Sequence, residues 1–502
     1  MMAPVTSCKT LLKKVISIVR SMNLSKDMRL SVRPWLWVLA LILLLRLLSL
    51  ATMPLTDHTE ARYAEIARLM VQLGDWVSPH ITPDEVFWAK PPLSTWSQAL
   101  SMQVFKVSEW AARLPAVGWS LMSLGALAWM LRGSLSCLQI AAVLTVLSLS
   151  PLFFISAGAV MTDATLGACV MLVQAAWWRV LNSEGRARQR AARILGFGMA
   201  LALLTKGPAA AVLALLPILI HAGWRKHWAV VLAVLRDPSV WLICLGLSLP
   251  WYILAEIKTP GFLQYFVLGE HVMRFLQPGW KGDRYGFAHA QPLGIIWVYT
   301  VVAALPAVLL LLARLPLLRW RQGSGSLKRA LQASGGVELA CYALCIVLAP
   351  LLLFSAARNL IFTYAMTALP GLAWLAVMVL PERALSGAKA WGLALLWTAL
   401  YAWAFFFKLP EVGQQHSDKP LIDAYRVACP AQDCALRYEA KPPYSAFFYT
   451  GGKLYTGLPG RPGAPAFKVV PVEKKSSRPS DALVCNKEQC LLRDDGVATG
   501  SR

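Results

Sequence analysis

Residues 34–54 read PWLWVLALILLLRLLSLATMP, an apolar run with one charge, Arg46, and a proline at each end. A helix needs about 20 consecutive apolar residues to cross a bilayer core, so this run is long enough. It is too long for the apolar core of a signal peptide and has no convincing small-residue cleavage site. It therefore reads as a retained first span, with Arg46 facing protein or snorkelling to the interface. The basic residues before it (Lys9, Lys13, Lys14, Arg20, Lys26, Arg29 and Arg33) predict a cytoplasmic tail over residues 1–33.

Similar runs recur near 111–131, 136–155, 157–179, 193–206, 207–222, 239–257, 292–314, 337–356, 359–380 and 390–409. Several are short or contain proline, so the expected number of crossings is eleven to thirteen. The predicted fold class is an all-α polytopic membrane protein carrying a small exported α/β or mostly β domain. An odd number of crossings puts the C-terminus outside. The chain divides into the basic tail 1–33, a transmembrane region 34–409 with outer loops 55–110 and 258–291, and a soluble unit 410–502.

Composition agrees with this reading. Of 502 residues 57% are hydrophobic and only 15% charged, which excludes an ordinary soluble enzyme. The formal charge of +23 would suit a nucleic-acid partner if it formed one face. Instead Arg179–Arg193, Arg225 with Lys226, Arg314–Arg329 and Arg383 with Lys389 fall in separate short loops, all on the side predicted to be cytoplasmic. The excess is a topology signal, and no nucleic-acid partner is expected.

In the exported unit, Cys429 and Cys434, then Cys485 and Cys490, form two C-x4-C pairs. An oxidising compartment permits two disulfides, with three possible pairings; a tetrathiolate metal site is the rival. The other six cysteines read as packing residues.

Asp57, Glu60, Arg62, Lys90, Asp163, Lys206, Glu270, His271, Arg274 and Arg358 all fall in outer loops or at outer helix ends. Ionisable groups at membrane depth are costly and usually functional. From Glu60 the loop becomes an amphipathic helix with Tyr63, Ile66, Ala67 and Met70 on one stripe, Thr59 available as its N-cap and Gly74 as its stop. Asp57 precedes it, positioned to point at the membrane surface. Lys90, between Phe87-Trp88 and Pro91-Pro92, is placed to meet a phosphate at headgroup depth.

These residues carry a resemblance. Glu60-Ala-Arg-Tyr-Ala-Glu-Ile-Ala, Gly74-Asp-Trp, Lys90-Pro-Pro-Leu, Ala111-Ala-Arg-Leu-Pro115, Met161-Thr-Asp163, Thr205-Lys-Gly-Pro208, Pro250-Trp-Tyr252, Gly269-Glu-His-Val-Met-Arg-Phe275 and Phe362-Thr-Tyr364 resemble the bacterial branch of the GT-C glycosyltransferases. That branch holds the aminoarabinose transferases of lipid A (family 83-like) and their relatives, the protein O-mannosyltransferases (family 39-like). The former resemblance is the closer. It implies a membrane enzyme that moves a sugar, such as 4-amino-4-deoxy-L-arabinose, from undecaprenyl phosphate or another polyprenyl phosphate to lipid A or another envelope acceptor. The reaction would occur at the periplasmic face of the bacterial inner membrane, with inversion.

By the same resemblance, the catalytic carboxylates are Asp57 and Asp163, with Glu60 as substitute for Asp57. The family's usual Asp-Glu pair falls on Thr59-Glu60, and Ala89 stands where an acid is common. Lys90, Arg274 and Tyr364 are implied to hold the donor phosphate, with Lys206 and Arg358 further cations on that face. No cofactor is required by this chemistry. A divalent metal has only the adjacent Glu270 and His271 as candidate ligands, which is sparse. Other readings are a protein O-mannosyltransferase and, less well matched, a transporter or flippase, which should hold its polar residues near the bilayer midplane.

Overall fold

The computed structural model describes residues 26–57, 59–286, 289–322, 336–431, 433–461, 464–472 and 479–494. Most of the basic tail, and residues 323–329 of one basic cluster, lie outside the described residues.

Seven helices are long and apolar enough to cross a membrane: Ser31–Ala51, Glu109–Leu131, Asp163–Leu181, Pro208–Arg225, Pro238–Lys258, Val337–Ser355 and Ala388–Gln415. Ile295–Ala303 and Ala307–Arg314 make an eighth if counted as one span, although they are bent by 97°. The protein is thus a multi-pass membrane protein. The remaining expected crossings coincide with shorter or more polar segments. The 136–155 run is split by Pro151 into helices Cys137–Ser148 and Pro151–Ser156. Phe362–Met378 begins as a tight 3₁₀ stretch, and helix Gly185–Lys206 opens with four arginines before its apolar half.

The bundle has one large apolar core that includes Trp177, Trp374, Tyr342 and Phe153. Arg46 faces protein: its guanidinium donates to Ser49 Oγ (2.8 Å) and the Ile155 carbonyl (3.1 Å) and lies over the rings of Phe154 and Phe405. Several helices run from one functional end to one basic end. Asp163, Pro208 and Ser355 lie at the first end of their helices; Arg179, Arg225 and Glu338 lie at the other.

Helix Glu60–Leu73 forms where the 3.6-residue pattern predicts it, and Gly74 closes it with φ +67° and an N–H bond to the Met70 carbonyl. Glu65 and Arg68, off its apolar stripe, are buried as well. Arg68 donates to both oxygens of Glu65 (2.7 Å each) and to the Gly451 carbonyl of the C-terminal unit (3.1 Å). That unit is a four-stranded sheet with two short helices. Its order is β3 (Ala435–Tyr438), β4 (Ala466–Pro471), β6 (Gln489–Arg493), β5 (Val484–Cys485), with β3–β4 parallel and the other pairs antiparallel. A separate two-residue-wide hairpin, β1 (His80–Thr82) with β2 (Glu85–Val86), lies in the first loop.

Phe467 and Val469 alternate inward as a half-buried strand should. Tyr444–Tyr449 is a short helix started after Pro443. The cysteines pair locally, Cys429 with Cys434 and Cys485 with Cys490, so the four thiols do not form a tetrathiolate site. The C-terminal unit does not hang free. Leu421, Ile422, Phe448 and Leu491 share an apolar cluster with Leu55, Ala61, Tyr63 and Ile66 of the first loop. Helix Ala388–Gln415 runs through the expected boundary at 409.

Candidate active site

A cavity of about 640 Å³ opens beneath the first loop. Arg62 and Tyr63 of helix Glu60–Leu73, Lys90, Asp163, Lys206, Glu270, His271, Arg274, Asp283 and Tyr364 all line it. Its fixed cations are thus Arg62, Lys90, Lys206 and Arg274, against the carboxylates of Asp163, Glu270 and Asp283.

Local structure explains each position. Asp163 opens helix Asp163–Leu181, where the helix dipole favours a negative charge, and Lys206 closes helix Gly185–Lys206, where it favours a positive one. The two meet at 2.9 Å. Gly207 (φ +60°) then turns the chain so tightly that a Cβ there would lie 2.6 Å from the Phe266 ring. Lys206 Nζ also lies over the Tyr364 ring, 5.4 Å from its centre.

The segment Gln264–Met273 is wound as a π-helix, a form common at functional sites. Glu270 and Arg274 project from it and its continuation. Glu270 Oε2 is 3.1 Å from both Lys90 Nζ and Arg274 Nη1, and Tyr265 donates to Oε1 (3.1 Å). Burial alone would raise the Glu270 carboxyl, but Lys90 and Arg274 outweigh it and hold Glu270 below the usual carboxylate range. Arg274 also reaches Asp283 at 3.2 Å.

His271 does not join Glu270 as a metal ligand. Its Nδ1 lies 2.7 Å from the Phe266 carbonyl and its Nε2 3.0 Å from the Lys206 carbonyl, so the ring is occupied in holding the loop. The Glu270–His271 expectation is corrected accordingly.

The first-loop carboxylates also lie elsewhere. Glu60 is buried in an ion pair with Arg113: Nη2 stands 2.7 Å from Oε2, and Nε donates to Oε1 at 2.8 Å. Asp57 accepts bonds from the Ser445 amide (2.8 Å) and hydroxyl and lines a separate cavity of about 290 Å³ with Thr56, His416 and Glu488. Neither lines the larger cavity. The turn before the helix carries Asp57 away towards the C-terminal unit, while Thr59 lines the cavity and makes no side-chain capping bond. Thr59 therefore occupies the expected N-cap position without capping through its hydroxyl.

Arg358 is exposed and does not line the cavity, whereas Asn359 does. Successive side chains of an extended stretch point to opposite sides, and this one bridges Asn359 to Ala290. Asn359 Nδ2 donates to the carbonyls of Arg274 (2.5 Å) and Gln277 (2.6 Å), fixing the loop that carries Arg274.

Sequence reasoning also passed over Asp283, Tyr285 and the cavity-facing role of Arg62. Arg62 Nη1 donates to the Tyr285 carbonyl (2.5 Å), and its Nε has no hydrogen-bond partner among the described residues. An arginine one turn before Ile66, on the flank of the apolar stripe at the N-terminal end of a loop helix, was the available signal.

The Asp57 contact makes a pH prediction. Burial pushes the Asp57 carboxyl up to about 7, with Asp418 and Glu488 adding repulsion against the lowering effect of Ser445. Asp418, which accepts from Tyr438 (3.0 Å) and Asn486 (2.7 Å), is pushed up to about 6, again chiefly by burial. Both folded values exceed the unfolded ones, so the folded state binds more protons between about pH 4 and 7 and loses stability as pH rises through that window. Limited proteolysis is expected to release the C-terminal unit more readily at pH 8 than at pH 5, and Asp57→Asn to flatten the difference. An unchanged profile in Asp57→Asn would assign the pH dependence to other groups.

The site is a loop-covered cavity rich in fixed cations on a multi-pass helical bundle, with a small sheet-containing unit docked on the loop. The fold matches the crystal structure of ArnT from Cupriavidus metallidurans bound to undecaprenyl phosphate with a TM-score of 0.68, at 18% identity over 93% of this chain and 99% of that one. The family model described as dolichyl-phosphate-mannose-protein mannosyltransferase matches residues 36–266. The undecaprenyl phosphate-alpha-4-amino-4-deoxy-L-arabinose arabinosyl transferase of Aeromonas salmonicida is 30% identical over 345 residues, 68% of this chain and 58% of that protein. Its counterpart in Aeromonas hydrophila subsp. hydrophila is 30% identical over 346 residues, with the same coverage. The matched region therefore spans less than two thirds of the length of these relatives. The chain is thus similar to the protein O-mannosyltransferase family over residues 36–266 and to the aminoarabinose transferases over the matched 345 residues, and it shares the fold of ArnT.

Proposed function

We propose that the protein transfers a sugar from undecaprenyl phosphate to an envelope acceptor, with lipid A the favoured acceptor and an aminoarabinose-like sugar the favoured donor group. The single observation that carries this reading is the cavity in which Arg62, Lys90 and Arg274 converge, with donor capacity left over after Glu270 and Asp283 are paired. When the acceptor oxygen attacks the anomeric carbon, the sugar–phosphate C–O bond breaks and its electron pair passes to the phosphate oxygen. The added negative charge is stabilised by cations already in place. Attack opposite the leaving phosphate inverts the anomeric centre.

Asp163 and Lys206 face the same space. A hydroxyl acceptor would require Asp163 to take a proton, whereas an ionised lipid A phosphate attacks without a base. Asp163 then orients the acceptor or binds an amino group on the sugar. The membrane would be the bacterial inner membrane, with the N-terminus inside and the cavity and C-terminus outside. Arg179 and Arg225, at helix ends remote from the cavity, support that orientation.

Protein O-mannosylation is the second reading, favoured by the description of the matching family model. Mass spectrometry of lipid A and of total glycoprotein, from cells with and without the gene, separates the two. Gene-dependent addition of a sugar to lipid A supports the first reading. Modification confined to Ser or Thr of proteins replaces it with the second. An unchanged envelope with altered solute uptake rejects both in favour of transport.

A further inference from the structure

A second side-chain cluster lies at the opposite end of the bundle. Helix Pro208–Arg225 begins beside the cavity and ends about 25 Å away, at 1.5 Å per residue. There Lys226 adopts a left-handed conformation (φ +60°), unusual for a residue with a side chain, and its N–H bonds to the Ala222 carbonyl. The turn folds His227 back beside His221, with their rings 5.3 Å apart. Glu338, in the first turn of helix Val337–Ser355, reaches both: its Oε1 is 3.1 Å from His221 Nε2 and 2.8 Å from His227 Nε2. Oε2 is taken by the Arg225 guanidinium.

We propose that His221, His227 and Glu338 form a binding site for one borderline divalent transition-metal ion of the zinc type. Two imidazole nitrogens and one carboxylate oxygen are the ligand set such ions favour, and the three atoms lie within 4.8 Å of one another. Ligands of a tetrahedral zinc stand about 3.4 Å apart, so the contacts at Glu338 open by a few tenths of an ångström to admit the ion. The independent sign of a ligand is His221. Its side chain is fully buried; Nδ1 has no hydrogen-bond partner among the described residues, and Nε2 meets Glu338 Oε1 at 3.1 Å without good hydrogen-bond geometry. A buried imidazole so poorly satisfied is costly, and a metal on Nε2 relieves part of that cost. Arg225 then acts on the second carboxylate oxygen, fixing Glu338 as a one-oxygen ligand. Water completes the coordination, and the ion ties the end of helix Pro208–Arg225 to the start of helix Val337–Ser355.

The test uses tag-free, full-length protein in detergent, stripped with a chelator and kept free of reductant so that the disulfide cysteines cannot bind metal. Titration with Co(II) should give one equivalent bound, with the visible absorption of a low-coordinate site, displaced by Zn(II). Zn(II) should also raise the melting temperature. His227→Gln and Glu338→Gln should each weaken binding by about 10-fold or more while melting like the parent in chelator. If Glu338→Gln does not melt like the parent, His227→Gln decides the matter, its side chain being 30% exposed and the less embedded of the two histidines. Failure of the parent protein to bind stoichiometrically at micromolar metal overturns the proposal. So does binding that a parent-like His227→Gln leaves unchanged.

Discussion

Lys90→Ala is expected to lower kcat by about 10²-fold or more while changing KM for the polyprenyl-phosphate donor much less, because the cation matters most when charge develops on the leaving phosphate. Arg274→Ala should behave similarly. The two are not independent: Lys90 Nζ and Arg274 Nη1 both stand 3.1 Å from Glu270 Oε2. Removing either lets the other approach Glu270 more closely, which takes it out of the phosphate's reach. The double variant should therefore lose less than the product of the single losses. Glu270→Gln tests positioning rather than contact. It should leave both cations in the cavity but unanchored, with kcat falling while a Lys90→Arg variant retains part of the activity. Steady-state kinetics with purified protein in nanodiscs reads all of these, and a Lys90→Ala enzyme within a few-fold of the parent would remove Lys90 from the site.

Glu60→Gln is expected to destabilise the fold by about 3–5 kcal/mol, the usual consequence of stripping one partner from a buried ion pair. Arg113→Met should cost more. Besides Glu60, Arg113 donates to the carbonyls of Leu50 (2.8 Å), Met53 (2.7 Å) and Pro54 (3.0 Å), which would be left without that donor where the first span ends and the loop begins. Burial opposes ionisation of Glu60, yet Arg113 outweighs it and holds the carboxyl below its ordinary range. The stability this pair contributes is present above the unfolded carboxylate pKa of about 4.3 and disappears as pH falls through the depressed folded value. Thermal unfolding in detergent at several pH values measures both effects. Activity loss in Glu60→Gln without loss of stability would return Glu60 to a catalytic role.

Much of the architecture was legible because the signals are local. Apolar run length marks a span, a glycine after a periodic stretch marks a helix end, and basic loops mark one side of a membrane. Lys90, Asp163, Lys206, Glu270 and Arg274 were found by residue type and by membrane depth and Tyr364 through the family resemblance, and the structure brings all six to one cavity. Asp57 and Arg358 were chosen by the same logic and do not reach it. Asp57 sits two residues too early in a turn, and Arg358 one residue off in an extended stretch, where a single step reverses the side chain. Glu60 had the right charge, but a cation 53 residues later in the chain claimed it. No residue-by-residue reading of the loop contains Arg113.

The sequence by itself determined that this is a multi-pass membrane protein, where its long loops lie, and which ionisable residues stand on the loop side. Those properties follow from hydrophobicity, charge and spacing summed over short windows. Tertiary structure alone decided which of those charges neutralise one another and which face open space. It turned the polar side of helix Glu60–Leu73, through Arg68, into an interface with the C-terminal unit, seated Thr59 and Asn359 in the cavity, and gathered His221, His227 and Glu338 at the far end. The physical reason is that an ion pair or a hydrogen bond depends on distances of about 3 Å between residues far apart in the chain, and only the packed helices set those distances.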